Sequence, residues 1–66
     1  MFAEHQMVET DVDIYREGHY IPEGSNGVIV HIYPEKDAYE IEFPMIKNNP
    51  VITCHEHEIT EAVNEK

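Results

Sequence analysis

The run Cys54-His55-Glu56-His57-Glu58 places a thiol, two imidazoles and two carboxylates within five residues of a 66-residue chain. Thiolate and imidazole are good ligands for zinc, nickel or copper, and His55 and His57 share a face if the segment stays extended. Ligands this close in sequence seldom close a tetrahedral site by themselves, and no CxxC pair accompanies Cys54. The simpler reading is a small buried hydrophobe at Cys54 followed by histidines in a solvent-facing turn. The other histidines, His5, His19 and His31, are scattered. Nucleophilic catalysis needs a nucleophile, a base and an orienting group around a pocket, for which so short a chain has little room. The Gly24-Ser25-Asn26-Gly27 stretch leads into a strand rather than a helix, so it is not a phosphate-cradling loop. The expectation is a protein with no catalytic residues, no metal and no cofactor. A metal-handling accessory domain stands as one alternative.

Charge is the dominant global property. Fourteen acidic residues face four basic ones, a formal charge of −10. The bases Arg16, Lys36, Lys47 and Lys66 form no patch. Nucleic acid is bound through a basic face that releases counterions, so direct nucleic-acid binding is excluded as an expectation. Acidity of this size either keeps a small protein soluble or complements a basic partner, because opposite fields steer association. No apolar run is long enough for a membrane span, and the acidic start MFAEHQMVE is unlike a signal peptide. The single cysteine cannot form an intrachain bridge and fits a reducing cytoplasm.

The elements that must position these residues are short strands. The central stretch Gly27 to Phe43 reads as a hairpin. Val28 to Tyr33 is β-branched and aromatic, Pro34 to Asp37 is a turn, and Ala38 to Phe43 alternates strictly. Tyr39, Ile41 and Phe43 point inward there, while Glu40 and Glu42 point out. The strand Val28 to Tyr33 is apolar on both faces, so it is either buried twice or bulged. Tyr33 and Tyr39 are expected to pack across the hairpin turn.

A first strand runs from Met7 with Val8, Thr10, Val12 and Ile14 at period two; the acids between them suit an edge. Tyr15 to Ser25 reads as a long loop with Ile21 plugging the core. Val51 to His55 is a fourth strand, His55 to Glu58 a tight turn, and Ile59 to Val63 a last strand. A helix over HEITEAVNEK is the rival for that last segment. The expected fold is an all-β, SH3-like small five-stranded barrel over residues 7–63, with flexible termini at 1–6 and 64–66. A chain this short is marginal alone, so self-association is a further expectation about partners.

The stretch IPEGSNGVIVHIYPEKDAYEIEF with the following VITCHEHEI resembles a family of small bacterial domains of unknown function. The residues that carry the likeness are Pro22, Gly27, Ile29, Tyr33, the run Ala38 to Phe43, and Val51 to Ile59. Ser25-Asn26 stands where that family usually has Gly-Asp, and Cys54 where it has an aliphatic residue. Within this group the chain looks most like the VapX-type antitoxins of toxin–antitoxin systems. The resemblance implies a cytoplasmic antitoxin that binds a cognate VapD-like ribonuclease toxin by protein–protein contact and blocks RNA cleavage. The alternative is an acidic inhibitor or immunity protein, anti-CRISPR-like, aimed at another nucleic-acid-binding protein. The candidate contact residues are Asp11, Asp13, Glu40 and Glu42 for charge, with Tyr15, Tyr20 and Phe2 as anchors, since desolvated aromatic anchors usually dominate binding energy.

Overall fold

The computed structural model describes residues 2–62. Its strands are β1 (Met7–Thr10), β2 (Ile14–Arg16), β3 (His19–Ile21), β4 (Asn26–Tyr33), β5 (Ala38–Glu42), β6 (Val51–His55) and β7 (Ile59–Glu61). Two 3-10 turns, Pro34–Lys36 and Glu56–Glu58, follow β4 and β6. Five strands form one antiparallel sheet in the order β6-β5-β4-β1-β7, and β2 pairs with β3 as a separate hairpin. The edge strands β6 and β7 are consecutive in the chain, joined only by the Glu56–Glu58 turn. The sheet therefore coils until its two edges stand one turn apart. This is the all-β, SH3-like small barrel expected from the sequence, with a hairpin inserted between its first two strands.

The core follows from alternation. Ile41 and Phe43 of the β5 segment are fully buried, with Ile52 and Cys54 opposite on β6 and Ile29 on β4. Val8, Ile14, Ile21, Tyr39 and Ile59 complete the cluster. The apolar second face of β4 is explained by a bulge. Ile29 pairs with Ile41, but Glu40 pairs with His31, so Val30 is an extra residue and both Val30 and His31 lie outside. Gly27 faces Val8 on β1 and is buried. A Cβ at this position would overlap Ile41 and stand 3.0 Å from both the Glu42 carbonyl oxygen and the Phe43 ring. The β4 and β5 backbones approach so closely there that only glycine fits.

Several expectations are corrected. The first strand ends at Thr10 instead of running to Ile14, and Val12 is 44% exposed. The chain turns away at 11–13, where the Asp11 N–H donates to the Glu58 carbonyl and the Asp13 carboxylate accepts from the Glu23 N–H at 2.7 Å. Aspartates are better turn formers than strand formers. Nor is β1 an edge: it lies between β4 and β7. The segment read as a loop from Tyr15 contains most of the β2–β3 hairpin. Ile21 does plug the core, and Ile14 pairs with it across that hairpin.

Tyr33 and Tyr39 do not pack across their turn, since they lie on opposite faces. The Tyr33 hydroxyl donates to Glu40 at 2.7 Å outside the sheet, whereas Tyr39 is buried and its hydroxyl donates to Glu56 at 3.0 Å. Residues 2–6, part of the segment expected as a flexible terminus, make contacts with the barrel. His5 N–H donates to the Ile29 carbonyl at 2.7 Å, and Ile29 N–H donates to the Gln6 carbonyl at 3.0 Å. The last strand is β7, not a helix, and ends at Glu61. The expected continuation to Val63 and the tail 64–66 lie outside the described residues. Among the described residues no helix is long and apolar enough to cross a membrane.

Candidate functional site

The β2–β3 hairpin turns on Glu17-Gly18. Both residues have positive φ, 56° and 78°, the pattern of a two-residue type I′ turn whose twist matches the flanking strands. With three residues per strand, the hairpin divides its side chains cleanly. Ile14 and Ile21 point into the barrel core. Tyr15 and Tyr20 are cross-strand partners on the opposite, outer face, with ring centroids 4.6 Å apart and planes 24° from parallel. They remain 74% and 46% exposed. Burial raises the Tyr20 hydroxyl above its ordinary pKa, helped by the Asp13 charge. An open hollow of about 380 Å³ is lined by the residues from Tyr15 to Tyr20.

One residue along, Arg16 points the other way and fastens the hairpin to the barrel. Its guanidinium makes a two-pronged bond with the Glu58 carboxylate, at 2.9 and 2.8 Å, and also donates to the Thr53 carbonyl at 2.8 Å. The Glu58 carboxylate accepts a third bond, from the His55 N–H at 2.8 Å. Its side chain is only 11% exposed, and the Arg16 hydrogen bonds hold its pKa down at about 2. Arg16 in turn is raised above its ordinary value by the bond to Glu58.

The same pair blunts an exposed edge. Bonds between Phe43 and Pro50, and between Glu56 and Asp37, set the alternation of the β5–β6 ladder. Residues 51, 53 and 55 therefore aim their backbone groups away from β5. Arg16 occupies the Thr53 carbonyl and Glu58 occupies the His55 N–H, so a strand from another molecule finds two edge positions already taken.

The predicted contact residues separate into three groups. Tyr15, Tyr20 and Asp13 come together on the hairpin, and Asp11 is exposed on the connector leading into it. Glu40 and Glu42 lie half-buried on the outer face of the sheet. Glu40 is engaged inside the molecule, accepting from the Tyr33 hydroxyl at 2.7 Å and from Thr53 Oγ1 at 3.0 Å. Glu42 sits between Val28 and Val51 in the ladder. Phe2 packs edge-on against Tyr39 with centroids 5.5 Å apart, and so contributes to this chain's own core. Glu17 and Glu23, exposed beside the tyrosines' strands, are acids that the sequence reading passed over. Arg16 and Glu58 were also missed, because 42 residues separate them and nothing local relates them. The hairpin itself has a sequence signal, Glu17-Gly18 between two runs of isoleucine and tyrosine, but Glu-Gly is a weaker turn marker than Asn-Gly.

The Cys54 to Glu58 run is divided by the fold. Cys54 is fully buried, and burial pushes its thiol up to about 12, so thiolate is scarce at neutral pH. His55 and His57 are exposed around the Glu56–Glu58 turn, their rings stacked 5.9 Å apart. They line an open hollow of about 570 Å³ with Lys36, Asp37 and Glu56. Among the described residues no three histidine, cysteine or acidic side chains converge as a metal site. No family model, curated protein or solved structure matches the chain.

Proposed function

We propose that this protein is an antitoxin-like inhibitor that binds a basic, RNA-cleaving toxin of the VapD type and neutralises it by protein–protein contact. The observation that carries the reading is the exposed Tyr15–Tyr20 pair, with Asp13 beside Tyr20 and Glu17 on the turn, on a hairpin that is firmly held. Tyrosine presents a large rigid surface at low entropic cost and is enriched at binding hot spots. A net charge of −10 complements an enzyme that must attract RNA phosphates. Inhibition by occupying or distorting such an enzyme needs no catalytic group on the inhibitor. The VapX-like features of the sequence point to the same partner.

The test is to mix the purified chain with a VapD-type ribonuclease and follow RNA cleavage. One equivalent of the chain is expected to co-elute with the toxin and to abolish cleavage. Full cleavage in the presence of a tenfold excess would sink the proposal.

A further inference from the structure

The hairpin carries an aromatic surface for which the fold itself has no use. Three anchors already hold β2–β3 in place: the buried Ile14–Ile21 pair, the Arg16–Glu58 fork, and the bond from Arg16 to the Thr53 carbonyl. Tyr15 and Tyr20 are on the opposite face, each with one ring face against the other. Tyr15, at 74% exposure, leaves its second face open to solvent. A tyrosine ring face is electron-rich and attracts a cation placed over it. The molecule contains an example elsewhere, with the Lys36 ammonium 5.6 Å from the centre of the Tyr33 ring. On the hairpin the arginine is turned away into Glu58, leaving the tyrosine face to an outside cation.

The surroundings choose the kind of cation. Asp13 lies beside Tyr20 and is held in place by the Glu23 N–H; Glu17 sits on the turn between the two tyrosine strands. A planar guanidinium can stack on the Tyr15 ring while its in-plane N–H groups reach a carboxylate beside the pair. A lysine ammonium is a compact, strongly hydrated point charge and cannot do both. We infer that the stacked Tyr15–Tyr20 pair, with Asp13 and Glu17 at its rim, is a docking platform for an arginine side chain of the partner protein. This rests on the inhibitor reading for the identity of the partner, but the arginine-binding chemistry can be tested without it.

The probes are two fluorescently labelled octapeptides of equal charge, alternating Arg-Gly and alternating Lys-Gly, titrated against the full chain by anisotropy at moderate salt. The arginine peptide is expected to bind at least fivefold more tightly. The double variant Tyr15→Leu/Tyr20→Leu keeps the charge and the buried anchors; with its fold verified by circular dichroism, it is expected to bind both peptides equally. Equal affinities on the unaltered protein, or an arginine preference that survives in the double variant, would overturn the inference. Ribonuclease assays separate this inference from the broader one. If the double variant inhibits the toxin as well as the unaltered chain, the platform is wrong and the inhibitor reading stands. If the arginine preference depends on the tyrosines but the unaltered chain leaves RNA cleavage intact, the platform stands and only its partner was misidentified.

Discussion

The two hairpins of this barrel are held by opposite means. The β4–β5 hairpin is long and carries its own alternation, so Ile29, Tyr39, Ile41 and Phe43 are buried by the period of the strands alone. The β2–β3 hairpin has three residues per strand and would not persist in isolation. It exists because Ile14 and Ile21 reach the core and because Arg16 finds Glu58 on the far side of the sequence. A hairpin that supplies the core has its inner face committed. One that is fastened by a few contacts can leave a whole face for another molecule. In this chain the free aromatic surface is on the second kind.

That contrast can be broken from either side. The largest effect belongs to the long hairpin. Gly27→Ala forces a methyl group into Ile41 and the β5 backbone and should cost about 3 kcal/mol, close to the whole stability of so small a domain. A chemical-denaturation curve showing less than about 1 kcal/mol would mean that the strands can part to admit the methyl group.

Next is the fastening of the short hairpin. Glu58→Gln should cost about 2 kcal/mol, below the usual figure for a fully buried pair because Arg16 is 32% exposed. Its pH dependence is a sharper signature. The folded-state pKa of Glu58 is depressed to about 2 from an ordinary value of 4.5, so the stability it contributes is complete above the ordinary value. It is lost as pH falls from there toward 2. Thermal melts of the unaltered protein should decline through that window more steeply than those of Glu58→Gln, and parallel curves would deny the bond its role.

Smaller still is the effect of the outer pair on folding. Tyr15→Leu is expected to change stability by about 0.5 kcal/mol, because the ring is exposed and the inner anchors remain. A loss several times larger would make the pair a structural staple instead of a free surface. The last effect, of similar size, is a gain. Glu17→Asn supplies the residue favoured at the first position of a type I′ turn and should stabilise the protein by about 0.5 kcal/mol, measured by the shift of the denaturation midpoint.

The difference between the hairpins also marks what could be read from residue order. The Gly27 to Phe43 stretch declared its strands, its turn and its buried residues, and the bulge in β4 was one of two readings of its apolar faces. Short strands, turn residues and the absence of a helical stripe were enough for the SH3-like barrel. The site was only half legible. Tyr15, Tyr20 and Asp13 were recognisable as aromatic and acidic candidates, but their grouping was not, because three-residue strands leave too little periodicity to announce themselves.

Periodicity is a local property, and it determined the barrel strands and the faces they bury. Which residues meet across the chain is decided by how the sheet coils. Only that coiling turned Arg16 toward Glu58 and brought Ile14 and Ile21 of the short hairpin onto the barrel core. It also left the outer face of the β2–β3 hairpin, where Tyr15 and Tyr20 pair, in the open. The Arg16–Glu58 contact joins side chains whose relative position depends on how the sheet coils, and pattern within a single strand carries no information about that coiling.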